Sequence, residues 1–115
     1  MTGQAPPAFA IGRSEGAHGL LLTVSGDVDI DASTGLREAL EAAVAESGSV
    51  VVDLGRVTFI DSTGLGALVA GNNAAVARST SLRLRAVPPG IARLFEITGL
   101  DSVLTVEPAA TSTGD

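Results

Sequence analysis

The apolar positions of this chain follow two rhythms that alternate along it. Ser49-Val50-Val51-Val52-Asp53-Leu54 is apolar on consecutive positions, as a strand covered on both faces reads. The leucine-rich run His18–Ser25, closed by Gly26-Asp27, predicts another strand. Ser81–Val87 sets Leu82 and Leu84 against Arg83 and Arg85, which predicts a strand with one drier face. Phe9–Arg13 and Val103–Val106 are expected as outer strands.

Between these runs the period changes. Leu36, Ala39, Leu40, Ala43 and Val44 recur at three and four and place one apolar stripe on a helix that Ser47-Gly48 ends. Leu65, Leu68, Val69, Asn72 and Val76 repeat the pattern over about Ser62–Ala77, with Asn72 as the odd member. A short third helix opens at Pro89, whose missing N–H costs nothing in a first turn. It carries Ile91, Leu94 and Phe95 and stops at Gly99. The order β-β-α-β-α-β-α-β implies parallel strands joined by crossovers. The expectation is a small single-domain α/β fold, a mixed sheet of about five strands with helices packed mainly on one face. Residues 8–107 form the expected packed unit, between flexible ends at 1–7 and 108–115.

Composition narrows the chemistry. The chain has 115 residues with 7 Lys+Arg against 13 Asp+Glu, a formal net charge of -6. All of the basic residues are arginines. An acidic chain without lysine is poorly suited to gripping a phosphate backbone, so no direct nucleic-acid partner is expected. Zero cysteines exclude a disulfide scaffold, a thiolate zinc site and a cysteine nucleophile. A single histidine, His18, excludes a histidine-rich metal centre. No apolar run is long enough for a membrane span, and the first residues lack the pattern of a signal peptide.

Chemistry concentrates where strand, turn and helix meet, at Thr58-Phe59-Ile60-Asp61-Ser62-Thr63-Gly64-Leu65-Gly66. Asp61 is a credible N-cap, which makes Ser62 the first helical residue with its hydroxyl near solvent. Gly64 and Gly66 keep that first turn slim, so another surface can approach. The plain reading is a capped helix and nothing more. A phosphate loop fails because GxxxxGK[ST] is absent, and a dinucleotide fingerprint fails for want of a third glycine. A serine hydrolase would need His18, which starts a strand about 20 Å from the far end of that strand.

Asp27-Val28-Asp29-Ile30-Asp31-Ala32-Ser33 and Glu38 match the ligand spacing of a calcium loop. Ala32 stands where that loop needs glycine, and no helix precedes it, so the expectation is a solvated acidic turn with Ser33 or Thr34 capping the helix. If the strands Leu20–Ser25 and Val50–Leu54 are parallel neighbours, Asp27 and Asp61 emerge at one end and form an acidic rim around Ser62. Phosphate on Ser62 would add about -1.5 to -2 charge there, a binding switch with little need for refolding.

With these residues in view, the chain resembles the STAS domains, specifically bacterial anti-sigma factor antagonists. The resemblance rests on Val51-Val52-Asp53-Leu54 followed by Val57-Thr58-Phe59-Ile60-Asp61-Ser62-Thr63-Gly64-Leu65-Gly66. It is supported by Gly26-Asp27-Val28-Asp29 ahead of Leu36-Arg37-Glu38-Ala39-Leu40, and by Leu94-Phe95-Glu96-Ile97-Thr98-Gly99-Leu100. It covers roughly Phe9 to Val106. It implies a STAS-like fold and a cytoplasmic, non-enzymatic switch without cofactor or metal. Its partners would be an anti-sigma factor with serine kinase activity and a PP2C-like phosphatase. Ser62 would be the phosphorylated residue, with Thr63 as a competing acceptor. Asp27, Asp29, Asp61, Ser62, Thr63, Gly64 and Leu65 would form the partner surface. A free monomer is expected, because the apolar stripes are small enough for one core to consume. The alternative implied by the same resemblance is a STAS subunit of another signalling scaffold or of a lipid-transport complex.

Overall fold

The computed structural model describes residues 8–17 and 19–107. Strands β1 (Ala10–Gly16), β2 (Gly19–Val28), β3 (Ser49–Ile60) and β4 (Ser81–Arg85) stand in that order in one sheet. β1 runs antiparallel to β2, while β2, β3 and β4 are parallel. Helices α1 (Ile30–Glu46) and α2 (Ser62–Ala77) connect the parallel strands, α3 (Pro89–Thr98) follows β4, and all three pack on one face. Phe95, Leu22, Leu36, Leu40, Leu54, Leu68 and Leu84 are fully buried between sheet and helices. The expected flexible ends, at 1–7 and 108–115, and the placement of His18 lie outside the described residues.

The sheet has four strands where the sequence led us to expect about five. Gly99 takes a left-handed conformation at φ 78, ends α3 and turns the chain into a short 3-10 helix, Leu100–Ser102. Val106 makes an isolated parallel bridge to Leu84, whose N–H donates to Thr105 O and whose O accepts from Glu107 N–H, both at 2.8 Å.

Both central strands run further than their apolar cores suggested. β2 continues through Gly26 to the fully buried Val28. Gly26 sits at φ +87, and a Cβ there would stand 2.2 Å from Ala8 O, so only glycine lets the strand pass. β3 continues past Leu54 to Ile60 by bulging. Its register against β2 shifts between Thr23 and Ser25 and again between Gly26 and Asp27. Each bulge resets which side of the strand faces inward. Leu54, Val57 and Ile60 therefore all reach the core at a spacing of three, which a period of two cannot show. At the other edge β4 stops at Arg85 rather than Val87, and Ala86 follows with positive φ, 55.

Two helix readings are corrected. α1 is capped by Asp29, not by Ser33 or Thr34, and the helix already begins at Ile30. Ala32 is buried and extends the stripe Leu36, Leu40, Ala43 one turn toward the N-terminus, which is why the helix starts early. The acidic segment read as a turn is thus the entry to α1, with Asp31 in its first turn near the positive end of the dipole. In α2 the buried face is Gly64, Leu65, Ala67, Leu68, Gly71 and Ala75. Val76 is instead 71% exposed, and Asn72 donates through Nδ2 to Val103 O at 3.3 Å. Leu40 approaches where a Gly71 Cβ would lie, with its Cδ1 2.6 Å away, so small residues set the α1–α2 distance.

Candidate functional site

The β2–α1 and β3–α2 junctions are built alike and lie side by side. Asp27 is the register partner of Phe59, and Val28 of Ile60. The next residue in each segment is an N-cap in extended backbone. Asp29 accepts from the N–H groups of Asp31 and Ala32, and Asp61 from those of Thr63 and Gly64. Asp61 N–H also donates to Val28 O at 3.3 Å, stitching one junction to the other. The first helical residues, Ile30 and Ser62, are both exposed.

This arrangement decides the state of the Ser62 hydroxyl. Among the described residues Ser62 Oγ makes no hydrogen bond, whereas Thr63 Oγ1 is half-buried and donates to Asp61 Oδ1 at 2.5 Å. The same Asp61 oxygen accepts from Thr63 N at 2.9 Å and Gly64 N at 3.1 Å. Asp61 holds the turn through this one oxygen, and none of these bonds involves the Ser62 hydroxyl. Gly64 and Leu65 are buried, beneath the surface that sequence reasoning assigned to them. Their positions support Ser62 from within: Gly64 lets α2 close onto Val28, and Leu65 anchors the first turn in the core.

Asp27, Asp29 and Asp61 do share one end of the sheet, as the parallel pairing of β2 and β3 requires. Asp27 is not a bare rim charge, because Thr58 Oγ1 donates to its Oδ1 at 2.6 Å. Thr58 is the residue the second bulge inserts, so its pairing with Asp27 had no signature in the sequence. Ile30 was legible in principle. It lies between two aspartates and off the stripe of Leu36 and Leu40, a position from which an apolar side chain must face outward. None of Asp27, Asp29, Asp31 and Asp61 pairs with an arginine among the described residues; the ion pairs seen there are Arg13–Glu46, Arg83–Glu107 and Arg85–Asp53.

A hollow of about 410 Å³ on the helix-free face of the sheet, walled in part by Leu21, Val51, Arg83 and Arg85, lies toward the starting ends of β2 and β3. Both of its arginines are already paired, with Glu107 and Asp53. It is remote from Ser62 and, among the described residues, offers no unpaired cation for an anionic ligand. The calcium-loop spacing is likewise consumed by structure, since Asp29 Oδ1 is given to two helix amides and Ser33 Oγ donates to Ile30 O. Among the described residues no helix is long and apolar enough to cross a membrane.

The hydrogen bond from the Thr63 hydroxyl, followed by that from Gly64 N–H, holds the Asp61 carboxyl below its ordinary value of 3.8. A carboxyl depressed in the folded state stabilises the fold above its unfolded pKa, and that contribution disappears as pH falls through the folded value. Asp61→Asn is therefore expected to destabilise the domain at neutral pH, with the difference from wild type shrinking toward acid. Chemical denaturation in a pH series checks this; a difference that is constant or grows toward acid contradicts the assignment.

The family model described as Mlab, STAS domain matches residues 11–106 of this chain. An anti-sigma-B factor antagonist of Listeria monocytogenes serovar 1/2a is 35% identical over 85 residues, which cover 73% of this chain and 75% of the relative. Among solved structures, an anti-sigma factor antagonist from Mycobacterium paratuberculosis superposes with TM-score 0.78 at 27% identity, covering 89% of this chain and 87% of that one. The unphosphorylated form of the anti-sigma factor antagonist SpoIIAA shares the fold with TM-score 0.70 at 18% identity, over 86% of this chain and 89% of that one. The chain belongs to the STAS-domain family of anti-sigma factor antagonists, which are regulatory proteins and not enzymes.

Proposed function

We propose that this protein, in the cytoplasm, holds an anti-sigma factor that is also a serine kinase, and lets it go when that kinase phosphorylates Ser62. The observation that carries the reading is the exposed, unbonded Ser62 hydroxyl at the first position of a helix whose cap is satisfied without it. Ser62 Oγ attacks the terminal phosphorus of the ATP held by the kinase, the bond to the ADP oxygen breaks, and the hydroxyl proton leaves to a base or to water. No hydrogen bond between described residues has to break for the phosphate to be installed. The helix N-terminus tolerates the added charge, so the fold persists while the surface changes. A PP2C-like phosphatase would restore the hydroxyl by hydrolysis. Thr63 is the poorer acceptor, because its hydroxyl must first abandon Asp61.

Around Ser62, the contact surface would take in Asp27, Asp29, Asp61 and Thr63, over the support given by Gly64 and Leu65. The test is mass spectrometry of the protein isolated from its native cell, with copurifying proteins identified. Phosphate on Ser62 together with a kinase-type anti-sigma factor is the expected result. A transporter ATPase recovered in place of the kinase, with Ser62 unmodified, would overturn the reading.

A further inference from the structure

Two large apolar side chains stand in water beside Ser62. Ile30 is 69% exposed and Phe59 51% exposed. Ile30 occupies in α1 the position that Ser62 occupies in α2, since both follow an aspartate cap on adjoining strands. Phe59 lies on the register partner of Asp27, three residues before Ser62. The second bulge in β3 turns the alternation so that Val57 and Ile60 go to the core while Phe59 stays outside. Phe9 is only partly buried against the core and Phe95 is fully buried in it, so Phe59 is the phenylalanine left to solvent. Single exposed apolar side chains are common on any surface; these two differ from the others in lying at the paired junctions that hold Ser62.

We propose that Ile30 and Phe59 are the apolar anchors of the partner contact, and that the bound partner also covers Ser62 and excludes water from it. This inference rests on the proposed function and names the chemistry of the partner face. That face is a protein surface with an apolar centre to receive Phe59 and Ile30 and a margin of lysine or arginine. The margin follows from charge: Asp29 and Asp31 flank Ile30 in sequence, Asp27 is the register partner of Phe59, Asp61 follows Phe59 by two residues, and none of the four pairs with an arginine among the described residues. Central aromatic and aliphatic anchors with a charged border are how small protein contacts gain affinity.

This anatomy also explains how a phosphate causes release from a partner whose margin is basic. Attraction between the margin and the phosphate would tighten the complex if charge pairing decided the outcome. Covered by the partner, the phosphate must instead lose its hydration without a matched partner, which is far more costly than a rim attraction is favourable. The switch works by desolvation of the phosphate.

The experiment is a calorimetric titration of the purified kinase-type anti-sigma factor with wild type, Phe59→Ala, Ile30→Ala and, as a remote exposed control, Val76→Ala. Because all three side chains are largely exposed, their thermal midpoints should match wild type. Phe59→Ala and Ile30→Ala are expected to weaken binding about 30-fold each, the size of a hot-spot truncation. Val76→Ala should bind as wild type does. In kinase assays the two anchor variants should raise KM for phosphorylation of Ser62 with kcat retained, since the acceptor itself is untouched. Raising salt to about 1 M should weaken wild-type binding and fail to rescue protein carrying phosphoserine at 62. Anchor variants within about threefold of wild type, or salt rescue of the phosphoprotein, overturn the inference. So does a sedimentation result in which Phe59→Ala dissolves a dimer of the free chain and leaves partner affinity unchanged. If wild type binds no kinase-type anti-sigma factor at all, the proposed function itself falls and this inference with it.

Discussion

Ser62→Ala is expected to abolish phosphate incorporation by the kinase partner while leaving both the fold and the partner contact in place. Ser62 Oγ is exposed and forms no hydrogen bond with a described residue, so its removal orphans nothing. Alanine is a better helix former than serine, and Asp61 continues to cap α2 through Thr63 and Gly64. Stability should stay within about 0.5 kcal/mol of wild type. Ser62→Asp places a permanent charge on the same spot and is expected to weaken partner binding about 100-fold, the scale of an uncompensated charge taken out of water. Intact-mass analysis after incubation with kinase and ATP reads the first result, and calorimetry the second. Normal labelling of Ser62→Ala, with the phosphate on Thr63, would move the switch to the neighbouring residue.

The second large effect concerns stability and reaches the site from beneath. In Gly64→Ala the new Cβ would stand 2.6 Å from Ile60 Cγ1, 2.7 Å from Val28 O and 2.8 Å from Val28 Cγ1. Val28 O is backbone in a central strand and accepts from Asp61 N–H, so it cannot retreat without disturbing both junctions. Alanine gains up to about 1 kcal/mol in helix propensity over glycine, and the clash outweighs it. A net loss of about 2 kcal/mol is expected, lowering the thermal midpoint by roughly 10 °C in a domain of this size. Phosphorylation of Ser62 should slow as well, because α2 must shift away from β2 and carry its first turn with it. Gly66→Ala is the matched control. A Cβ there meets nothing within 4 Å, so the variant should be at least as stable as wild type. Equal stability of the two variants would mean that the close approach of α2 to β2 is not what Gly64 secures.

α2 was legible to its boundaries because Asp61 is an N-cap in sequence as in structure, and a cap needs only its next three residues. Central β3 was legible from Val50-Val51-Val52, since burial on both faces leaves no polar alternation. The early start of α1 was missed because Asp29 and Ser33 are equally good caps in isolation; only the burial of Ala32 chooses between them. The fifth strand was misread because Val103–Val106 has strand composition, while Gly99 and the 3-10 turn after it leave only a bridge at Val106. Gly64 was assigned to the surface because a small residue beside a functional serine fits a close approach from either side, and the sequence does not say which.

The sequence by itself determined the local parts: a helix beginning at Ser62 behind an aspartate cap, a parallel arrangement for strands joined by helical crossovers, and an acidic composition without cysteine or lysine. These follow from periods, caps and composition, which act over a few residues. The tertiary structure alone decided how the two junctions lie together. Two bulges in β3 bring Thr58 to Asp27 and turn Phe59 outward, and the pairing of β2 with β3 sets Ile30 beside Ser62. Register between strands about thirty residues apart depends on which side chains fill the shared core. No window along the chain contains that information, and so the apolar flanks of the serine became visible only in the folded molecule.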